Sequence, residues 1–563
     1  MYWKTKTVEN ELLVDSLSVE LGINKKLVEI LVDRGVDTFE KARQFFKPTL
    51  EDLNNPFLMK DMGKAVQRIE RAVQNQENIL IYGDYDVDGT TAVALMYSYL
   101  KTFYTNLNIY IPDRYTEGYG ISKQGIDYAY DNNFTLIIAL DCGIKEHQKI
   151  EYAKAKGIDF VIGDHHLPGN IIPDAVAVLD PKREDCDYPY KELCGCGIGF
   201  KMIQAIAQHR GESLSTLVPY LDLVAIAIAA DIVPITQENR VLAKFGLMVL
   251  NQNPRVGVKA LLKILGKKEI SIHDIVFGIA PRINAAGRID HASKVVKLLV
   301  EQDSQKASEL AFNMEQYNQD RRELDEQITQ EALEQIQSNE EQQLYTTVVF
   351  SENWHKGVIG IVASRLIETY YRPTIVFTKS NGKLVASARS VKGFDIHQAL
   401  ESCSEYIEQF GGHKFAAGLT ISEDKFVAFK DKFEQVVRMT ISEESRMPQL
   451  TIDAIIDFKD IDPKFVRLLK RFEPHGPQNM SPVFLTKAVS ASYSKIGKDK
   501  NHLRIEVKQA DSEVIKAIGF NMIHKEAVFE LDSFAMAYTI GENIWNNTIT
   551  LQLNVKDVNQ DIK

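Results

Sequence analysis

Cysteine is scarce: five residues in 563, an odd number spread over a long chain. That excludes a disulfide framework and suits a reducing compartment. No stretch approaches the ~20 consecutive apolar residues that a membrane helix requires. The opening Met1-Tyr-Trp-Lys-Thr-Lys6 has no apolar signal core, so the expected location is cytoplasmic, with no membrane partner. No G-x-x-x-x-G-K-[ST] loop occurs, which removes a P-loop NTPase motor. Paired C-x-x-C knuckles are also missing, and Cys186, Cys194 and Cys196 are expected to be small buried thiols rather than zinc ligands. Positive charge is in deficit, 66 Lys and Arg against 77 Asp and Glu, for a net charge of −11. This argues only weakly against nucleic acid, because a groove feels its own lining and not the total.

What the chain has instead is clustered acid. Asn78-Ile-Leu-Ile-Tyr-Gly-Asp-Tyr-Asp-Val-Asp-Gly-Thr-Thr91 puts Asp84, Asp86 and Asp88 between an apolar run and an expected helix. Like charges so close repel one another unless cations hold them. The pattern recurs where Leu136–Leu140 ends in Asp141-Cys-Gly and Phe160–Gly163 ends in Asp164-His165-His166. In an open parallel sheet the C-terminal strand ends converge on one crevice. Residues about 80 positions apart can then build one polynuclear site for metal-assisted phosphoryl hydrolysis. The apolar run Leu221–Ala230 reads as a core helix ending at Asp231. Spacing leaves open whether Asp231 merely terminates that helix or completes the site. Gly195-Cys-Gly-Ile-Gly fits a dinucleotide fingerprint badly and points to close backbone approach.

The length predicts several domains. Residues 1–76 read as an N-terminal helical extension. Residues 77–301 alternate short Val/Ile/Leu runs with helices, the signature of a doubly wound parallel sheet. Residues 302–343, rich in Glu, Gln and Arg, read as a solvated connecting helix. Residues 344–446 form a second, smaller α/β segment with strands near Thr346, Thr374 and Lys383, a helix over 360–371 and a glycine turn at Gly411-Gly412. Residues 447–563 show period-two runs at 483–486, 502–507, 514–520 and 549–555, as expected of an OB-like β-barrel. Lys495, Lys498, Lys500, Arg504 and Lys508, with Tyr493 and His502 among them, suit a single-strand groove or a solvated hairpin.

Asp164-His165-His166 is the signature of the DHH phosphoesterase superfamily, and GDYDVDG, LDCG and ADIVP stand beside it in that superfamily's order. With PRINAAGR (281–288), WHKGVIGIVASRL (354–366), ASARSVKGFDIHQAL (386–400) and FGGHKFAAGL (410–419), nearly the whole chain resembles its bacterial exonuclease branch acting on single-stranded DNA. The resemblance implies a DHH domain, a DHH-associated domain and an OB-fold. It implies hydrolysis from a 5′ end to mononucleotides by two Mn²⁺ or Mg²⁺ ions, in DNA repair and recombination. It also implies work beside a single-strand-binding protein and a repair helicase.

By that similarity Asp84 and Asp141 hold one ion, and Asp86, Asp141, His165 and Asp231 the other, with Asp141 bridging. Oxygen ligands and one imidazole suit Mn²⁺ or Mg²⁺. His166 then faces the scissile phosphate as donor or acid. Some members carry a histidine four residues before the first aspartate, where this chain has Leu80. Asp88 is expected to cap a helix or support a ligand. Ser387, Arg389, Gly411, Gly412 and His413 are the expected substrate-phosphate contacts, with Arg114 and Arg282 as further candidates. Two other readings compete: a nanoRNA or cyclic-dinucleotide phosphodiesterase of the same superfamily, whose members generally lack the barrel, and an inactive replication scaffold, which would have lost ligands.

Overall fold

The computed structural model describes residues 1–7, 9–510, 512–545 and 548–560. The chain divides into two compact units, one made of 3–280, 292–308 and 451–563, the other of 1–2, 281–291 and 309–450.

The larger unit is organised by a five-stranded sheet whose inner strands are buried on both faces, as is usual for parallel strands. Its order is Leu107–Tyr110, Asn78–Gly83, Phe134–Leu140, Asp159–Gly163, Ala177–Leu179, every pair parallel. The strand order reverses between Asn78–Gly83 and Phe134–Leu140. That switch point is where an open α/β sheet leaves a crevice, and the next residues are Asp84 and Asp141. Helix Val87–Leu100 follows the first of these strands and starts on its N-cap Asp86, whose Oδ1 accepts the Gly89 N–H at 3.0 Å.

At the carboxyl end, Phe484–Ile496, His502–Gln509, Ile515–Gly519, Thr548–Asn559 and Phe534–Trp545 pair in that order, and the last returns to the first, closing a barrel. Phe534–Trp545 escaped the sequence reading because Phe534, Ala535, Met536, Ala537 and Tyr538 are all buried and a register shift falls at Ala537/Tyr538. Both erase period-two alternation. The N-terminal helices pack on the rest of the larger unit. Leu27, Ile30, Leu31 and Phe45 share one core with the barrel's Phe484, Leu503, Ile505 and Tyr538. Arg240, from helix Gln237–Gln252, ties this assembly together by donating to the carbonyls of Phe45, Arg471, Phe472, Glu473 and Pro474.

The smaller unit has a mixed sheet ordered Gln409–His413, Ala416–Ile421, Lys383–Arg389, Thr374–Ser380, Thr347–Phe350. Gly411 and Gly412 lie inside an edge strand and not in a turn. They face Gly418 and Ala417, and a Cβ on Gly412 would come 2.3 Å from the Ala416 carbonyl oxygen, so glycine answers a cross-strand approach. Helix Ser304–Ser338 is not solvated on every face. Ile328, Ala332 and Ile336 repeat every four residues and bury themselves with Val349, Trp354 and Val362, a narrow stripe that the polar composition concealed.

Candidate metal centre

The two strands at the switch point deliver Asp84 and Asp141 almost fully buried, 1 % and 2 % exposed. Close glycines make room for them. A Cβ on Gly89 would lie 2.5 Å from the Asp84 carbonyl oxygen, and one on Gly195 would lie 2.6 Å from Asp141 Cβ. The glycine run at 195 thus serves close approach, as its poor fit to a dinucleotide motif indicated. Asp141 has a left-handed backbone, φ 62°, while its N–H donates to Gly163 at 2.8 Å.

Around Asp141 the structure gathers the other acidic and imidazole groups. His165 Nε2 is 3.2 Å from Asp141 Oδ1, 3.6 Å from Asp231 Oδ2 and 3.8 Å from Asp88 Oδ2. Asp231, the C-cap of helix Leu221–Ala230, therefore belongs to the cluster as well as ending its helix. Asp88 is a cap, but for a different helix from its own: its two oxygens accept the Gly195 and Cys196 N–H groups at 2.6 and 2.7 Å, at the start of helix Gly195–His209. It thereby fixes the glycine that packs on Asp141. Leu80 is wholly buried in a hydrophobic cluster and offers nothing to a cation. Cys186 and Cys194 are buried thiols whose sulfurs accept backbone N–H groups, from Lys60 and Gly197.

The electrostatics are those of a site built for cations. Burial, followed by repulsion from Asp86, raises the pKa of Asp84, and the same two causes raise Asp88. Burial and four neighbouring carboxylates push Asp141 well above its ordinary range. Burial and then Asp88 raise Asp231. Burial also holds His165 neutral, down to about 3, the state in which imidazole ligates metal. Among the described residues, neither Asp84 oxygen, Asp141 Oδ1 nor His165 Nδ1 has a hydrogen-bond partner of normal geometry. Buried polar atoms are normally satisfied, and hard oxygens left open beside one imidazole fit Mn²⁺ or Mg²⁺. Asp164 contrasts with them. Burial opposes its charge, but the His166 side chain and backbone N–H donors overcome this and hold it at about 2.

The expected phosphate contacts distribute differently. Arg114 lies in the larger unit, its guanidinium 4.7 Å from the Tyr85 ring centroid. In the smaller unit Arg389 Nη1 donates to Ser387 Oγ at 3.0 Å and to the Ala388 carbonyl. Burial lowers its pKa and no carboxylate counters it. A Cβ on Gly360 would sit 3.0 Å from Arg389 Nη2. Gly411, Gly412 and His413 are exposed on the edge strand. Arg282, a further phosphate candidate, pairs with Glu315. Sequence reasoning missed Tyr119, whose hydroxyl lies 2.9 Å from His166 Nε2; the Gly-Tyr-Gly spacing was its only signal.

Three domain families match the chain: the DHH family N-terminal domain at 78–228, the DHHA1 domain at 341–439 and the RecJ OB domain at 452–557. The single-stranded-DNA-specific exonuclease RecJ of Bacillus subtilis is 36 % identical over 99 % of this chain and 70 % of its own length. That of Haemophilus influenzae is 32 % identical over 90 % of this chain and 92 % of its own. The crystal structure of Thermus thermophilus RecJ with Mn²⁺ superposes with a TM-score of 0.85 over 100 % of this chain and 80 % of that one, at 24 % identity, a likeness of fold. A manganese-bound exonuclease RecJ matches at 30 % identity with a TM-score of 0.61, over 71 % of this chain and 99 % of that one.

Proposed function

Because the chain belongs to the RecJ family of single-stranded-DNA-specific exonucleases, we propose that Asp84, Asp86, Asp141, His165 and Asp231 hold its catalytic cations, and that Arg114, Ser387, Arg389, Gly411, Gly412 and His413 contact the strand. The protein is a metal-dependent exonuclease of single-stranded DNA that uses Mn²⁺ or Mg²⁺. The observation that carries the site assignment is the convergence at the sheet's switch point of His165 and Asp231 with buried Asp84 and Asp141 oxygens that, among the described residues, lack a hydrogen bond of normal geometry.

When bound, such ions activate water and neutralise charge on the phosphodiester. The chain supplies the rest. Asp141, beside His165 and within the field of Asp84, would help hold the cations. Asp164 anchors the turn by accepting the N–H groups of Ile144, His165 and His166, which fixes the direction of both imidazoles. Arg389, a planar fork without a carboxylate partner, suits a phosphate on the strand, and the exposed glycines leave backbone open to one. Arg282 is assigned to holding its own helix through Glu315 rather than to the strand. Cleavage from the 5′ end to mononucleotides, a role in repair and recombination beside a single-strand-binding protein and a helicase, a cytoplasmic setting, and five functional segments at 1–76, 77–301, 302–343, 344–446 and 447–563 complete the reading. The full ligand set stands against an inactive scaffold, and the barrel stands against a dinucleotide phosphodiesterase.

The test is digestion of a single-stranded oligonucleotide labelled at one end, with Mn²⁺, Mg²⁺ or chelator, beside the matching duplex. Mononucleotides should appear from the 5′ end of the single strand only when metal is present. Equal attack on the duplex, or hydrolysis in chelator, would overturn the reading.

A further inference from the structure

Away from the crevice, the larger unit holds a cavity of about 460 Å³, lined by residues from 34–54, by the start of helix Gln237–Gln252 and by Gln478 and Asn479 ahead of the barrel. Two guanidiniums stand in its wall, Arg240 buried and Arg34 half-buried. Arg240 gives its N–H donors to five backbone carbonyls, and Arg34 donates to Asn479 Oδ1 and the Met480 carbonyl. All these partners are neutral, and among the described residues neither arginine forms an ion pair. Burial and then the charge of Arg34 push Arg240 down to about 9, so two like charges repel each other beside one space. Asp453 and Asp33 act on Arg34, but Lys6 binds both of them. The carboxylates of the lining are answered by residues outside it. Glu238 pairs with Lys201, and Asp52 accepts from Thr49 and lies 3.4 Å from Arg43. Gln237 and Gln478 line the cavity at φ 39° and 59°, backbone of the strained kind that gathers at ligand sites.

We propose that this cavity binds a nucleoside monophosphate, its phosphate beside Arg34 and Arg240 and its base against the apolar wall of Val36, Phe45 and Ile235. The choice of ligand rests on the nuclease reading above, because a mononucleotide is the product of that reaction. An anion between the two arginines supplies the counterion that neutral carbonyls do not. Arg34 provides the hydrogen bonds, since it has donors beyond the two in use, while Arg240 contributes charge alone. The volume falls within the roughly 300 to 1,000 Å³ of small-molecule sites, which join apolar walls to a few polar groups. Here the amides of Gln44, Gln237 and Gln478 are those groups. A ligand in this place bridges the N-terminal helices and helix Gln237–Gln252, so it binds the folded chain and stabilises it.

Calorimetric titration of the full chain with deoxyadenosine 5′-monophosphate in chelator reads this site alone, because the metal-free carboxylate crevice repels a phosphate. The nucleotide should bind and raise the melting temperature. Arg34→Gln should weaken binding about tenfold or more, the scale of one charge-assisted hydrogen bond. Gln44→Glu places a negative charge at an exposed position of the lining, away from the packed core, and should also weaken binding. Asp141→Ala should leave it unchanged. Deoxyadenosine and inorganic phosphate, each lacking part of the ligand, should both bind more weakly than the nucleotide. Absence of binding in chelator, binding unaltered in both Arg34→Gln and Gln44→Glu, or phosphate bound as tightly as the nucleotide overturns the inference. A wild type that digests single strands but does not bind the nucleotide in chelator overturns this site alone. One that binds the nucleotide and leaves single strands intact with Mn²⁺ overturns the nuclease reading instead.

Discussion

The crevice around Asp141 and the corner around Arg389 each hold charge that the protein itself does not neutralise, and they do so with opposite sign. At the crevice, four carboxylates are raised above their ordinary range by burial and mutual repulsion. At Arg389 a guanidinium is lowered by burial and, among the described residues, meets a hydroxyl and a carbonyl. Elsewhere the same chain pairs many buried charges, Lys201 with Glu238, Arg255 with Asp222, Arg365 with Asp325, or, as at Arg240, surrounds a guanidinium with carbonyls. Leaving a buried charge without its counterion is costly, so the crowded carboxylates call for a counterion from outside. On the proposed reading cations complete the first site and a phosphate binds at the second.

The sharpest way to break this comparison is to remove the centre of the acidic group. Asp141→Ala should lower hydrolysis at least about 10³-fold, the scale of losing one preorganised electrostatic partner. Because its carboxylate is repelled by four others, the metal-free variant should melt no lower than the metal-free wild type. A folded Asp141→Ala protein with near-normal turnover would end the bridging assignment.

Carboxylates in and beside the crevice respond to pH in opposite directions, which can be separated. The folded pKa of the crevice carboxylates lies above the unfolded value, so their contribution is fully present below the ordinary carboxylate range near ~4. It is lost as pH rises through the raised values, about 8 for Asp84 and Asp231. Asp164 runs the other way: depressed to about 2, it stabilises above ~4 and its contribution is lost only as pH falls toward that value. Chelated protein should therefore lose thermal stability from about pH 5 to pH 8, and Mn²⁺ should restore more at pH 8 than at pH 5. An equal Mn²⁺ shift at both pH values would show that the carboxylates carry no such strain.

The sequence made the crevice legible because its ligands sit at strand ends, where apolar runs give the strand and the following acid gives its polarity. The strands ending at Gly83, Leu140 and Gly163 and helix Leu221–Ala230 could be read on that basis, while the ligand set is what the family resemblance implied. What escaped depends on distant partners. Nothing local marks Asp88 as the cap of a helix that starts more than a hundred residues later. The buried face of Ser304–Ser338 rests on widely spaced small or apolar residues such as Ala307, Ala311, Ile328 and Ile336 in a polar stretch, and the shared core of Leu27 and Phe45 with the barrel has no local signature. Tyr119 was overlooked because a tyrosine between glycines reads as a loop until His166 is seen beside it.

A smaller effect is expected at the cationic corner. Arg389→Lys keeps the charge and gives up the planar fork, so affinity for a 5′-phosphorylated single strand should fall about tenfold, near 1.4 kcal/mol. Mn²⁺ binding should be unchanged, since no metal-ligand candidate lies in that unit. Unchanged strand affinity in Arg389→Lys would reduce the residue to packing against Ser387 and Gly360, and the symmetry between the two charged sites would fail.

The barrel supplies the mildest test, because its positive charge is only partly available. Lys495 pairs with Glu526 at 2.9 Å, and the Tyr493 hydroxyl donates to Glu526 and Glu530, which ties down the ring that the sequence suggested as a stacking platform. Lys498, Lys500, Arg504 and Lys508 are exposed, and among the described residues no ion pair involves them. Deleting the barrel would strip the N-terminal helices of their shared core, so neutralising these four side chains together is the cleaner perturbation. If they meet phosphates, each cation removed should reduce the slope of log affinity against log salt by about 0.7 on a long single strand. Cleavage of a short oligonucleotide should stay near normal, because every proposed metal ligand lies elsewhere. An unchanged salt slope would remove the barrel's basic face from strand binding while leaving the crevice assignment intact. Loss of short-oligonucleotide cleavage would instead tie that face to catalysis.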